Sequence, residues 1–370
     1  MQYNVISADN HILEPRDLFM TRMPKEFRDR APRVMRGADG GDGWSLDGKP
    51  PSRTFGLEAT AGRAVQVSGY KWEDILPGNY DPDAHVADMK LAGIDAAVLY
   101  PTVCLSAYDL PADEFGLALM KTYNDWLLSD FVAADPKRLI GLPLIPVNHP
   151  VEVAVAEVKR CIEKGARGFF IPAFPKIPYI DQHYDPIWAV AAEAGTPVSL
   201  HRQNGGKDPS GGFAGQLSAP GMAVAGTVIR YFAGVTPLTS FIFSGMFERH
   251  PKLKVLEAEV NFGWAPYWMF QMDQCHGQQD NWNSFPFSKL PSEYVGENVF
   301  VTVLDDEVGF PMVKDFPKLA EMGLFSIDYP HSVCLWPDSM SYVDKVTKGV
   351  DPVAKAKILS GNAERIFNLN

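Results

Sequence analysis

The chain has 370 residues, 45 acidic against 34 basic, giving a formal net charge of −11, and 46% of its residues are hydrophobic. No block of Lys and Arg interrupts that balance, which speaks against nucleic acid and anionic membrane surfaces as partners, and the apolar runs fall short of the ~20 residues of a membrane span. Cys104, Cys161, Cys275 and Cys334 are scattered without a CxxC pair, and no basic segment followed by an apolar one opens the chain, so reduced thiols and a cytoplasmic location are expected.

Strand-sized apolar runs occur at 4–8, 96–100, 139–146, 168–171, 197–200, 253–258, 299–303 and 324–327. Helix-length segments lie between them, at 114–133, 150–164, 186–194, 223–234, 238–249 and 312–322. Short stops such as Gly93, Gly165 and Gly195 mark the helix-to-strand joints. Eight strands with helical crossovers predict an α/β fold, a (β/α)8 TIM barrel forming one domain over 1–370, with an open doubly wound sheet as the competing arrangement. The rhythm breaks at 20–85, rich in Gly, Asp, Arg and Pro, with a hairpin expected near 34–50. This insertion is too long for an ordinary connection. Following strand 1, it is expected over the C-terminal mouth of the barrel as a lid or substrate-contact segment, met there by a second irregular stretch at 203–220.

Three strand ends carry metal-capable side chains. The first closes in Asp9-Asn10-His11, where alternation turns Asp9 and His11 to the same side. A carboxylate and an imidazole so placed form half a site for Zn2+ or Mn2+. His201 directly follows the fifth strand, and Asp328 ends the eighth, with His331 three residues later. Each alone is weak, but a barrel gathers strands 1, 5 and 8 around one axis.

In their order and spacing, SADNHILEP, the strand-5 histidine, FSGMFERHPKLKVLEAE, SIDYPHSVCLWPDS and SGNAERIF resemble the amidohydrolase superfamily. The resemblance is to its branch similar to aminocarboxymuconate semialdehyde decarboxylase, and it runs from Ile6 to the C-terminus. It implies one divalent metal ion, Zn2+ or Mn2+, held by Asp9, His11, His201 and Asp328, with Asp328 also shuttling a proton from water activated by the metal. Two positions depart from that pattern. Strand 1 carries DxH where HxH or ExH is usual, and Glu259 stands where many members have a strand-6 histidine. A glutamate cannot be a cationic polariser of a carboxylate, which shifts weight towards hydrolysis.

The resulting expectation is a metal-dependent hydrolase of a small cyclic or carboxylated, anionic substrate, with Asp328 and Glu259 catalytic. Arg53, Arg202, His331 and Trp44 are the substrate-binding candidates, the arginines for bidentate binding of a carboxylate. Trp72 is a further candidate wall for a ring, whereas Trp264 reads as core and Cys104 as a buried thiol without a base. The alternatives are non-oxidative decarboxylation of an aromatic or muconate-type acid, hydration of a double bond, and a barrel that has lost its chemistry and serves as a binding protein. The aromatic stretches at 264–270 and 282–285, together with the resemblance, lead to the expectation of a homo-oligomer, a dimer.

Overall fold

The computed structural model describes residues 1–202, 221–278 and 287–369, so the expected loop at 203–220 and the aromatic segment at 282–285 lie outside the described residues. All eight expected runs are strands: β1 (Ile6–Ile12), β2 (Ala96–Pro101), β3 (Leu139–Gly141), β4 (Phe169–Phe170), β5 (Val198–His201), β6 (Val255–Ala258), β7 (Val299–Val303) and β8 (Gly323–Phe325). Val299-Phe300-Val301-Thr302-Val303 shows why they form. It is β-branched or aromatic at every position, and all five residues are buried, one face filling the barrel and the other meeting helices.

The strands pair in parallel in two arcs, β1-β2-β3 and β8-β7-β6-β5-β4. Two seams close them. At one, Ile145 donates its N–H to Phe170 O at 3.1 Å, and Phe170 donates to Pro143 O at 2.9 Å. At the other, His11 donates to Tyr329 O at 2.7 Å, and Asp328 donates to Asp9 O at 3.0 Å. The sheet is therefore a closed (β/α)8 barrel, not an open doubly wound sheet.

The outer layer follows the apolar stripe of each helix. In Val151–Glu163 the buried Ala154, Val158 and Cys161 recur at helical spacing. Asp185–Ala194 buries Ile187, Trp188 and Ala191 and stops at Gly195, whose φ of 66° is the left-handed conformation glycine adopts at low cost. Two expected helices are broken. The 238–249 segment divides at Gly245 (φ 68°) into Val235–Phe243 and Met246–Arg249, and the 312–322 segment is interrupted before Lys318–Met322, where Pro317 cannot continue a helix. β3 ends earlier than its apolar run because Pro143 and Pro146 lack the N–H a ladder needs. Among the described residues no helix is long and apolar enough to cross a membrane.

The long insertion contains the expected hairpin, with Arg33–Arg36 antiparallel to Asp42–Ser45. It builds a small core of its own from Leu13, Phe55, Ala59, Trp72 and Ile75. Its far side is tied to the loop after β8, through Ala61 N–H to Pro330 O at 3.0 Å and Ser332 N–H to Leu57 O at 2.8 Å. The insertion thus sits against the loop that carries Asp328 and His331.

Candidate active site

β1 is irregular where it matters. Its register on β2 moves from Ser7–Ala97 to Asn10–Leu99, so β1 carries one extra residue, a bulge. Asp9 and His11 both face the barrel axis and are fully buried. His11 Nε2 lies 3.0 Å from His201 Nε2, 3.6 Å from Asp9 Oδ1 and 3.7 Å from Asp328 Oδ1. His201 Nε2 lies 3.7 Å from Asp9 Oδ1. Asp9, His11 and His201 therefore bring ligand-capable atoms together, and Asp328 adjoins them through His11, with which it and His331 form a second trio.

The chemistry of this cluster fits a divalent cation. Neither oxygen of Asp9, nor Oδ1 of Asp328, has a hydrogen-bond partner among the described residues. Such orphaned acceptors, wholly buried, are costly unless a cation satisfies them. His11 Nδ1 is 3.0 Å from Pro101 O, and because a carbonyl only accepts, Nδ1 carries the proton and Nε2 presents a lone pair to the cluster. Ligands 2.0–2.2 Å from an ion lie roughly 3–3.6 Å from one another, and the separations seen here, 3.0 to 3.7 Å, fall within or just beyond that range.

Electrostatics agree with the geometry. Burial, reinforced by the positive field of His331, pushes His11 down to about 3, and burial and His11 hold His201 well below the ordinary range. Both imidazoles are neutral at neutral pH, as ligation requires. Burial, and then the charge of Asp328, raises Asp9 well above the usual carboxylate range, a cost that a cation would reverse. Asp328 differs: burial raises it, but His331, which bonds to it, together with His11 and Arg202 outweighs that and holds it low. His331 Nδ1 sits 2.9 Å from Asp328 Oδ2, and its ring stacks on His11 at 4.2 Å. His331 is thus a partner of a cluster carboxylate. The buried Tyr100 ring lies against both His11 and His201.

The remaining candidates separate. Glu259, after β6, has Oε2 3.5 Å from His201 Nε2 and pairs closely with Arg202 through Oε1. Arg202 also donates to Glu259 O at 3.0 Å and lies over the Tyr231 ring at 5.2 Å. Its guanidinium is therefore already engaged with Glu259. Arg53 pairs with Glu58 at 3.2 Å on the exposed insertion. Trp44 packs edge-on against Phe19 at 6.2 Å within the hairpin, so its ring contact is with core and not with the cluster. Trp72 stacks on Tyr80. Arg230, at the end of the helix Met222–Arg230 and not named from the sequence, is lowered by burial and then by the charges of Arg202 and Arg53. No motif marks it.

Comparison with known proteins places this site in context. Residues 76–369 match the sequence profile of the amidohydrolase family. The chain is 25% identical over 310 residues to 2-amino-3-carboxymuconate-6-semialdehyde decarboxylase of Dictyostelium discoideum, covering 83% of this chain and 82% of that protein. Its fold resembles an amidohydrolase from Mycobacterium avium subsp. paratuberculosis, with a TM-score of 0.79 at 23% identity over 99% of this chain and 98% of the other. It also resembles a dihydroxybenzoic acid decarboxylase from a Polaromonas species, solved with manganese and the inhibitor 2-nitroresorcinol, with a TM-score of 0.68 at 20% identity over 100% of this chain and 98% of the other.

Proposed function

Because the chain belongs to the amidohydrolase family, we propose that it is a metal-dependent carboxy-lyase that releases carbon dioxide from a small aromatic or muconate-type acid. The observation that carries the metal-dependent reading is the buried cluster of two imidazoles and two carboxylates with three unpartnered oxygens. Carbon–carbon cleavage is supported over hydrolysis by the named activity of the relative matched over 82% of its length. The hydrolytic expectation drew on Glu259, and the comparisons support it only at the level of the superfamily.

Asp9, His11 and His201, which form one compact trio, and Asp328, which shares His11 in a second trio with His331, would hold one Mn2+ or Zn2+, manganese being favoured by the Polaromonas structure. When bound, such an ion supplies positive charge that polarises a substrate oxygen. The side chains of this chain supply binding and proton transfer. Arg230 would hold the anionic group of the substrate at the mouth, joined by Arg53 once it exchanges its exposed pair with Glu58 for the substrate. A proton must then reach the carbon that gives up its carboxylate. A C–H bond forms at that carbon, the bond to the carboxylate breaks, and its electron pair returns to the conjugated system as carbon dioxide leaves. Asp328 is assigned this transfer: its ionised carboxylate would take a proton from His331 at Oδ2 and pass it to the carbon, while Oδ1 faces the cluster. His331, 17% exposed, connects that carboxylate with solvent. Exposed Tyr267 and Phe270 on the helix Ala265–Gln278 support a homodimer.

Hydrolysis is the second reading, and Glu259 favours it, because a carboxylate beside a ligand histidine can accept a proton from water. Manganese-loaded protein is tested on a panel of carboxylated phenols and muconate-type acids in 18O-labelled water. Carbon dioxide release, with one proton replacing the carboxyl group and no label in the remaining product, is expected. Labelled product without carbon dioxide would overturn decarboxylation in favour of hydrolysis.

A further inference from the structure

Asn10 lies between the two β1 ligands, but its side chain bonds elsewhere, into a buried polar chain with a single consistent direction. The Ile327 N–H donates to Ser7 Oγ at 3.0 Å, and the Ser7 hydroxyl donates to Asn10 Oδ1 at 2.6 Å. Asn10 Nδ2 lies 3.4 Å from His85 Nε2, and His85 Nδ1 lies 2.7 Å from Gly78 O. The Gly78 carbonyl can only accept, so His85 Nδ1 carries the proton and Nε2 accepts from Asn10. Ser7, Asn10 and His85 are each fully buried. His85 belongs to the helix Pro82–Leu91, and the rings of Tyr329 and Phe131 meet it edge-on at 5.2 and 5.9 Å.

The ends of this chain identify its purpose. Ser7 and Asn10 bracket the register shift of β1, and Ile327 immediately precedes Asp328. A bulge leaves a strand free to relax unless something over-determines it. A buried helical position facing an apolar wall would ordinarily take an aliphatic residue, and here it holds an imidazole whose acceptor nitrogen meets the bulge. We propose that Ser7, Asn10 and His85 are positioning residues that lock the β1 bulge and the end of the eighth strand, and so set the metal affinity of the Asp9–His11–His201–Asp328 cluster. This deepens the metal-dependent reading above and rests on it. Hydrogen-bond partners behind metal ligands typically change affinity by about 10–100-fold when removed.

The test is Mn2+ binding by the full chain, stripped with chelator and titrated against a competing fluorescent chelator, with melting of the metal-free proteins measured alongside. His85→Leu should bind about 10–100-fold more weakly than wild type. His85→Gln, whose amide oxygen reaches the Nε2 position and accepts from Asn10, should recover affinity to within roughly threefold of wild type while melting no higher than the leucine variant. A purely structural role would instead make affinity indifferent to which folded variant is used. A folded His85→Leu that binds within about twofold of wild type overturns the proposal. If His85→Leu does not fold, Ser7→Ala, which removes one hydroxyl and little volume, takes its place, with the same tenfold-or-greater loss expected and unchanged affinity again contradicting it. Wild type that binds no Mn2+ overturns the metal-dependent reading and this inference with it, an outcome distinct from unchanged affinity in the variants.

Discussion

At the scale of single residues, three side chains of the site stand on left-handed backbone: Arg202 (φ 42°), Glu259 (φ 62°) and Asp328 (φ 58°). For non-glycine residues this costs on the order of 1–3 kcal/mol each, and it persists where neighbouring structure aims a functional group. Each lies just past or at the end of a barrel segment, where the turn aims Asp328 at the cluster and brings Arg202 and Glu259 together beside it. Asparagine tolerates this conformation better than most residues. Asp328→Asn should therefore keep the fold, with metal-free melting within a few degrees of wild type, while turnover falls at least about 100-fold for want of the proton carrier. Turnover close to wild type in a folded variant would remove Asp328 from the mechanism. The arginines should behave differently. Arg230→Gln is expected to raise KM about tenfold for a carboxylated substrate with kcat little changed, the pattern of lost ground-state binding. A fall in kcat at constant KM would argue against a binding role.

At the scale of elements, the short β3 is continued by a side chain instead of a ladder. Asn124, on the helix Glu114–Trp126, accepts from Leu144 N–H at 2.7 Å and donates to Leu144 O at 3.0 Å and Glu157 Oε1 at 2.8 Å. Replacing it by leucine strands buried groups of two other elements, so Asn124→Leu should cost about 2–4 kcal/mol, read from chemical denaturation. A loss below about 1 kcal/mol would show that the seam between β3 and β4 does not depend on it. This scale also separates what was legible in the sequence from what was not. Strands buried on both faces appear as unbroken apolar runs, so all eight were readable, and the ligand candidates follow directly on three of them, the first, fifth and eighth. Helix breaks at Gly245 and before Lys318 were missed because the apolar stripe continues across them. Partnerships between distant segments leave no local trace. Arg202 with Glu259 and His85 with Asn10 each require the closed barrel to bring them together.

For the whole molecule, the cluster makes stability depend on acid and on metal. His85 is lowered to about 4 by burial, and His11 to about 3, against the ordinary 6.5. Between roughly pH 6.5 and pH 4 the unfolded chain takes up protons that the folded metal-free protein refuses, so stability falls as pH drops through that window and is fully present above it. The melting temperature of metal-free protein should fall across it, and His85→Leu should flatten part of the slope; an identical slope would mean that His85 is not held neutral. Metal acts in the opposite sense, because an ion that binds only the folded state stabilises it by mass action. That dependence leads back to the central claim, a single divalent ion held by strands 1, 5 and 8. Its most direct test is elemental analysis of wild type and His201→Ala, purified without added metal and again after incubation with Mn2+ or Zn2+. The account predicts about one ion per wild-type chain, lost in the variant. A wild type that carries no metal and refuses both ions would contradict it and leave the barrel without its proposed chemistry.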